Sequence, residues 1–433
     1  GAAPEGQHMD RRTIRSHAGG ELLRSFIAGP HLGCGFEMRK GMYTDDTTSI
    51  LALATSLVKC QGLDGNHVAR SYGDWWLLRP FRGYPDTAMA VLRGVLEGMD
   101  PGITGRLAFP NGSFANGAAM RIAPVGLAFR NATDDQLRVA VANAVISSHT
   151  HPVAIDAAAV LAKGIAFNVN HRAMNQPDDP EHPLPEFDAG DFLDALAGVA
   201  RTPPMLCALR SMREHLSKPT WPGLVWAFSS LQRDDMPADE PPLAVSEDMC
   251  DPTFCRSWFQ IHSAVAVSCS LWAFLSSASR PADASCAVAD IAAIAVDLGG
   301  DADTVGSMAG ALAGALHGAG RPNADGYEHI PPAWWHQIEN GTYGRDFIVD
   351  TARGLADLEL REPSVAIPVA NRVAEALASS GGGLSQAEQQ DLHLAARRAY
   401  QPIEAQQSLK LYREQHAREA LPVDDPPEPA ASL

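Results

Sequence analysis

The sequence of 433 residues has few cysteines and contains no Cys-x-x-Cys motif. Its seven cysteines are an odd number without regular spacing, which argues against the paired framework of a disulfide-rich secreted domain. Cys250, Cys255 and His262 suggest part of a zinc cluster, but no fourth ligand stands at a suitable spacing. Reduced thiols, as found in the cytoplasm, are therefore expected.

Long apolar runs are missing as well. No stretch of about 18 or more apolar residues occurs, so the sequence predicts neither a transmembrane helix nor a membrane partner. No secretory signal is visible near residue 1, which supports the expectation of a cytoplasmic protein.

Positive charge is scarce. Lys and Arg number 34 against 51 Asp and Glu, which gives a formal net charge of −17. This balance argues against binding of nucleic acid over a broad surface. An anionic ligand could still be held locally, by metal ions and backbone amides.

Alternating patterns typical of strands are rare, whereas apolar residues at helical spacing are common. Apolar residues make up 45% of the chain, which is enough for a sizeable core. We therefore predict an all-α fold. The predicted helices are residues 47–59, 87–99, 134–148, 154–165, 192–199, 263–277, 286–296, 304–317, 365–378 and 386–413.

The chain divides near residue 358, where its character becomes more charged and amphipathic. Residues 1–358 are predicted to form one domain, and residues 359–433 a helical extension that ends in a disordered, acidic, proline-rich tail. Two proline- and acid-rich stretches, 176–187 and 233–243, are predicted to be surface loops within the first domain.

Two short acidic loops lie about 250 residues apart: Thr-Asp-Asp-Thr at 44–47 and Gly-Gly-Asp-Ala-Asp-Thr at 299–304. Each opens a predicted helix. The carboxylates would repel one another if they met without a cation, and oxygen ligands suit Mg²⁺ or Mn²⁺. Simple helix capping also explains the first loop, because Asp and Thr accept hydrogen bonds from free N–H groups. The two glycines and the Asp-x-Asp-Thr of the second loop exceed what a cap needs.

The helix predicted at 304–317 carries Gly306, Gly310 and Gly314 at a spacing of four residues. A glycine inside a helix costs about 1 kcal/mol relative to alanine. The three glycines therefore predict very close contact with a neighbouring helix along one face.

The segment 110–117, Pro-Asn-Gly-Ser-Phe-Ala-Asn-Gly, predicts a cradle for a diphosphate. Its small residues let backbone N–H groups approach an anion, and the helix expected directly after it would present its N-terminus. A plain Asn-Gly turn is the alternative. Phe114 suits either adenine stacking or the core, and Arg121, one turn into the expected helix, suits either a phosphate or a buried acid.

Five stretches in this order resemble the ADP-ribosylglycohydrolase family, of which the dinitrogenase reductase-activating glycohydrolase is a member. They are residues 1–6 (GAAPEG), 43–47 (YTDDT), 116–124 (NGAAMRIAP), 150–152 (THP) and 299–304 (GGDADT). Residues 330–334 and 339–340 resemble the closing stretch of the family. The resemblance covers about residues 1–358.

The resemblance implies a compact orthogonal helical bundle with a central cleft that holds two Mg²⁺ (or Mn²⁺) ions. The implied metal ligands are Thr44, Asp45, Asp46, Asp301, Asp303 and Thr304, with Asp303 as the first choice for a bridging carboxylate. Glu5 and Asp45 are the implied catalytic residues, Glu5 as acid or base. The implied substrate-binding residues are Gly112, Ser113, Phe114, Asn116, Gly117, Arg121 and His151, although a buried, hydrogen-bonded histidine is an equal alternative for the last.

The implied activity is metal-dependent hydrolysis of the glycosidic C1″ bond that joins ADP-ribose to a protein side chain. The partner would be an ADP-ribosylated protein or another ADP-ribose conjugate. The alternatives are a catalytically silent relative that binds ADP-ribose or serves a structural role, and a two-metal phosphoesterase. The intact acidic loops favour the hydrolase. The acceptor linkage (arginine, serine, O-acetyl or polymer) and the oligomeric state are left open.

Overall fold

The computed structural model describes residues 11–26, 31–32, 36–174, 187–214, 216, 260–278 and 284–400. Over these ranges the all-α prediction is confirmed, with two small antiparallel strand pairs as the exceptions. Strand β1 (His31–Leu32) pairs with β2 (Phe36–Glu37), and β3 (Pro322–Asn323) pairs with β4 (Gly326–Tyr327).

The helices follow one another through short connections. In chain order they are α1 (Arg11–Ser16), α2 (Asp45–Cys60), α3 (Gly65–Leu78), α4 (Asp86–Leu96), α5 (Pro101–Thr104), α6 (Ala123–Ala128), α7 (Asp134–Val145), α8 (Pro152–Met174), α9 (Ala189–Val199), α10 (Pro203–Glu214), α11 (Ser263–Ala278), α12 (Ala284–Asp297), α13 (Ala302–His317), α14 (Pro332–Gln337), α15 (Arg345–Ala356), α16 (Pro368–Ser380) and α17 (Gln386–Ala399).

Each predicted helix has a counterpart, but several boundaries differ. Helices α2 and α13 begin two residues earlier than predicted, at Asp45 and Ala302, so their carboxylates lie inside the first helical turn. Helix α8 extends beyond its predicted end to Met174. The predicted helix 386–413 ends at Ala399, and its part from residue 401 lies outside the described residues.

Helix α8 lies at the centre of the core and packs against α6, α7, α9, α11 and α13. It is apolar on all sides, as expected for a helix surrounded by other helices. The stretch Pro152–His171 is long and apolar enough to cross a membrane, yet 83% of its most apolar part is buried inside the protein. This burial identifies it as the core helix of the bundle.

Among the described residues, the close contact predicted for the glycine stripe on α13 is not found at two of its three members. A Cβ atom built on Gly310 or Gly314 would meet no described atom within 4 Å, while one on Gly306 would lie 3.5 Å from Val296. Helix α13 contacts its neighbours α8, α11 and α12 instead through apolar side chains such as Leu312. The stripe therefore does not mark the face of closest helix contact among the described residues.

The C-terminal helices pack on the preceding part of the chain. Helix α16 lies against α7, where the Asn143 amide donates to Asn371 at 2.9 Å and accepts from the Ile367 N–H at 2.6 Å. Helix α17 lies against α5. The domain boundary near residue 358 stays a prediction. The predicted loops 176–187, except Phe187, and 233–243, together with the predicted tail, lie outside the described residues.

Candidate active site

The two acidic loops meet at the N-termini of α2 and α13. Thr44 is the residue before the first turn of α2, and Asp301 occupies the same position before α13. The Thr304 side chain and the charge of Asp303 both act on the pKa of the Asp46 carboxyl. Residues about 250 positions apart in the sequence are thus brought together.

The carboxylates of this cluster are buried. Asp46 is 1% exposed and Asp301 is 5% exposed. Burial, followed by the charge of Asp303, raises the pKa of Asp46 to about 7. Burial, and then the charges of Asp303 and Asp46, raises the pKa of Asp301 well above its usual value. Hydrogen bonds from Thr44 and Asn116 oppose these shifts only in part.

The chemistry of the cluster fits a hard cation. Its donors are carboxylate and hydroxyl oxygens, and the buried Oδ1 atom of Asp46 has no hydrogen-bond partner. In the described part of the chain, however, no group of three or more His, Cys, Asp or Glu side chains is arranged to hold a metal ion.

Arg82 and Glu339 bind the backbone of Tyr43, the residue that precedes the first acidic loop. Arg82 donates to the carbonyl of Tyr43 at 2.6 Å, and Glu339 accepts from the Tyr43 N–H at 2.9 Å. The Asp45 N–H donates to the Arg82 carbonyl at 2.7 Å. Asp45 itself is half-buried at the start of α2. Arg82 and Glu339 were outside the predicted site, because a contact between residues far apart in the sequence leaves no local pattern.

The loop 110–117 joins the acidic cluster through Asn116. The Asn116 side chain donates to Asp301 Oδ2 at 2.6 Å and to the Gln260 carbonyl at 2.8 Å. Its backbone N–H donates to Ile261, and Ser263 donates back to the Phe114 carbonyl. The loop is therefore clamped to the segment 260–263 and directed at the acidic cluster.

Gly112 fits its place because it has no side chain. It adopts a φ of +83°, and a Cβ there would lie 2.1 Å from the Thr150 hydroxyl oxygen. Left-handed backbone and close approach both favour glycine. The backbone of the loop thus lies directly against the segment Thr150–His151.

The helix expected directly after the loop is not formed. Asn116–Ala118 is a single 3₁₀ turn, and α6 begins only at Ala123. Pro124 has no N–H to donate to the Met120 carbonyl, so a continuous helix cannot run through this point. The loop consequently offers backbone N–H groups of a turn, not the end of a long helix.

Phe114 and His151 lie side by side. Their ring centroids are 6.2 Å apart, and the ring of His262 lies 5.4 Å from that of Phe114. Burial, and then the charges of His262 and Arg106, lowers the pKa of His151 to about 3. The Val153 N–H donates to His151 Nδ1 at 3.3 Å, which assigns the ring hydrogen of the neutral imidazole to Nε2.

Arg121 is buried, and Ser148 and His149 connect it to the loop 110–117. Its guanidinium lies 4.1 Å from the ring centre of Tyr72 and donates to the Ser148 hydroxyl. Ser148 in turn contacts His149 Nδ1 at 2.8 Å, and His149 packs against Gly117. Within the described residues no acid pairs with Arg121. Its predicted role in substrate binding stays a prediction.

Two predicted features fall outside the described residues, namely Glu5 and the pair Cys250 and Cys255. Two polar groups that were not predicted lie beside the loop instead. The Gln260 side-chain oxygen and the Thr150 hydroxyl are buried without a hydrogen-bond partner. A Cβ on Gly300 would lie 2.5 Å from the Gln260 oxygen, so this atom is next to the second acidic loop. Both groups therefore have hydrogen-bonding capacity that no described residue uses.

Comparisons with known proteins agree with these motifs. A family profile described as ADP-ribosylglycohydrolase matches residues 1–364. The ADP-ribosyl-[dinitrogen reductase] glycohydrolase of Rhodospirillum rubrum is 30% identical over 164 residues, which are 37% of this chain and 54% of that protein. The match thus spans about half the length of that relative. ADP-ribosylhydrolase ARH3 of Bos taurus is 26% identical over 310 residues, which are 69% of this chain and 74% of that protein. A solved structure called an ADP-ribosylglycohydrolase-related protein complex has a TM-score of 0.47 and 22% identity, and the match covers 83% of this chain and 92% of that one.

Proposed function

The chain belongs to the ADP-ribosylglycohydrolase family, and on that premise we propose that it is a metal-dependent hydrolase that releases ADP-ribose from a modified protein side chain. The bond broken would be the N- or O-glycosidic bond at C1″ of the distal ribose. The substrate would be an ADP-ribosylated protein or another ADP-ribose conjugate. The names of the relatives from Rhodospirillum rubrum and Bos taurus describe chemistry of this class, which supports the proposal.

The observation that carries the proposal is the convergence of the two acidic loops around the buried, unpartnered Oδ1 of Asp46. The proposed ligands of two Mg²⁺ or Mn²⁺ ions are Thr44, Asp45, Asp46, Asp301, Asp303 and Thr304. Such ions, when bound, orient ribose hydroxyls and the attacking water and stabilise charge at the reaction centre.

Other residues of the chain would bind the substrate and assist the reaction. Backbone N–H groups of the loop 110–117 would hold the diphosphate, and Asn116 would keep that loop in register with Asp301. His151, neutral at physiological pH, would donate from Nε2 to an oxygen of the ligand. Asp45 would orient the attacking water, and Glu5 would serve as acid or base.

The test is release of free ADP-ribose from arginine- and serine-ADP-ribosylated peptides, with Mg²⁺ or Mn²⁺ and with EDTA. We expect metal-dependent release from one peptide, and Asp303→Ala should reduce it by about 100-fold or more while the fold stays largely intact. Release that is equal in EDTA would overturn the metal-dependent mechanism.

A silent ADP-ribose-binding protein is the second candidate. Calorimetric binding of ADP-ribose without release from either peptide would support this candidate over the hydrolase.

A further inference from the structure

A cavity of about 330 Å³ lies between the loop 110–117 and the turn that joins α16 to α17. Its lining includes Asn111, His151 and Pro152, residues 202–204 at the start of α10, and Gln386 and Gln389 of α17. The two glutamines lie beyond residue 364, where the match to the family ends. This part of the lining is therefore a feature of the C-terminal extension and not of the matched region.

The turn is pressed tightly against the segment that carries His151. Gly381 and Gly383 both have a φ of +69°, a conformation that side chains rarely adopt. A Cβ on Gly383 would lie 2.5 Å from Pro152 Cγ, and one on Gly381 would lie 2.6 Å from the Arg201 carbonyl oxygen. The glycines at 381 and 383 thus allow the extension to close against the neighbour of His151.

Arg106 fixes α17 to the loop. This fully buried arginine donates to the Pro110 carbonyl at 2.7 Å and, more weakly, to the Gln389 side-chain oxygen at 3.5 Å. His393 of α17 donates from Nδ1 to the Arg106 carbonyl at 2.6 Å. The start of the loop and α17 are therefore held by the same residue, so these two parts of the lining have a fixed separation.

The lining suits an uncharged ligand that forms hydrogen bonds. Of the described residues around the cavity, none is Asp, Glu, Lys or Arg. The Gln386 side chain is exposed there, and no hydrogen bond among the described residues uses its amide. A primary amide offers two donors and an acceptor, which can pair with adjacent donor and acceptor groups on the edge of a nucleobase. The volume lies at the lower end of the range of small-molecule sites.

The contacts at the two ends of the loop 110–117 indicate the orientation of the ligand along it. Asn116, near one end, contacts Asp301, whereas Asn111, near the other end, lines the cavity. ADP-ribose is a linear molecule with a ribose on each side of its diphosphate. With the distal ribose at the acidic cluster, the adenosine must lie at the Asn111 end. We infer that this cavity binds the adenosine part of the substrate and that Gln386, from the C-terminal extension, determines specificity for the base. The orientation rests on the proposed function.

The test measures binding of AMP, ADP-ribose and inorganic pyrophosphate by calorimetry to the full chain and its variants. Gln386→Ala should weaken AMP and ADP-ribose about three- to tenfold, as expected for the loss of one or two hydrogen bonds, and leave pyrophosphate unchanged. Gln386→Trp, which fills the cavity, should abolish AMP binding. Gln390, exposed on the same helix but not lining the cavity, provides the matched controls Gln390→Ala and Gln390→Trp, which should behave as wild type.

The outcomes separate this inference from the proposed function. Wild-type affinity of both Gln386 variants for AMP and ADP-ribose would overturn the adenosine site, even if the protein releases ADP-ribose from peptides. Weakened AMP binding with unchanged ADP-ribose binding would also overturn it, since the cavity would then hold a separate nucleotide. The protein could bind AMP and ADP-ribose in a manner that depends on Gln386 and yet release no ADP-ribose from either peptide. This result would support the adenosine site and contradict the proposed hydrolase activity.

Discussion

The guanidinium of Arg82 and the carboxylate of Glu339 form a two-bond ion pair, with N–O distances of 2.7 and 2.9 Å. Both partners also bond to the backbone of Tyr43, one to its carbonyl and one to its N–H. Tyr43 directly precedes the first acidic loop. The pair therefore sets the position from which Thr44 and Asp45 enter the site.

Breaking this pair should destabilise the protein and loosen the acidic loop. Arg82 is 3% exposed, so Glu339→Ala leaves a buried charge without its partner, and a loss of about 3 kcal/mol in the free energy of unfolding is expected. Denaturant unfolding measures this loss. The control is Asp350→Ala, which breaks the exposed pair with Arg353 and should cost less than about 1 kcal/mol. Similar losses in both variants would contradict the role of the buried pair.

The effect of Asp46 on the free energy of unfolding should be unfavourable at high pH without metal and less unfavourable when metal is bound. The folded state raises the pKa of this carboxyl from 3.8 to about 7, so without metal the free energy of unfolding should fall as pH rises through that interval. Asp46→Asn removes the ionisable group and should make the metal-free protein more stable than wild type at pH 8.

Metal should narrow this difference. Mg²⁺ or Mn²⁺ at about 100 times its dissociation constant should stabilise the wild-type protein by about 2.7 kcal/mol, and Asp46→Asn should lose most of that gain. Thermal unfolding with EDTA and with each cation gives both comparisons. A metal-induced shift that persists in the variant would exclude Asp46 as a ligand.

Gly112 should tolerate no side chain. Gly112→Ala places a methyl group 2.1 Å from the Thr150 oxygen in a left-handed backbone, so the loop must move. Gly98→Ala is the matched control, because Gly98 has a φ of +89° but no atom within 4 Å of the added carbon. The control should cost about 1–2 kcal/mol from backbone strain alone. Gly112→Ala should cost more and should also weaken pyrophosphate binding, which calorimetry measures; equal behaviour of the two would refute the packing argument.

His151 should make the protein less stable in mild acid. Its pKa falls from 6.5 to about 3 on folding, so the unfolded chain takes up a proton between these values while the folded chain does not. The free energy of unfolding should therefore drop by about 2 kcal/mol from this residue between pH 7 and pH 5. Urea unfolding of metal-free wild type and His151→Asn at both pH values isolates the effect. An identical pH dependence of the free energy of unfolding in the two proteins would show that His151 takes up a proton in the folded state as it does in the unfolded chain.

The sequence predicted the meeting of the acidic loops because each loop carries its own pattern of carboxylates, hydroxyls and glycines. It did not predict the pairing of Arg82 with Glu339 or the position of Gln260, because contacts between distant segments leave no periodic signal. The glycine stripe on α13 misled for a related reason. The cost of glycine in a helix indicates that a face is unusual, but it does not say which neighbour, if any, approaches that face.

The composition of the loop 110–117 correctly predicted its backbone conformation, but the prediction for the segment that follows it was wrong. Small residues correctly predicted a turn with close backbone approach, as Gly112 shows. The helix was expected to begin directly after the loop, but it begins at Ala123 with Pro124 in its first turn. A proline late in an apolar segment should therefore have moved the predicted start of the helix to Ala123.

The distance between the two acidic loops has a consequence for synthesis of the protein. Asp46 leaves the ribosome about 250 residues before Asp301, which corresponds to about 10–50 s at ordinary rates of translation. Throughout that interval a nascent chain holds only half of the carboxylates, and the turn after α16 follows later still. The acidic cluster therefore cannot assemble before the second loop has been made.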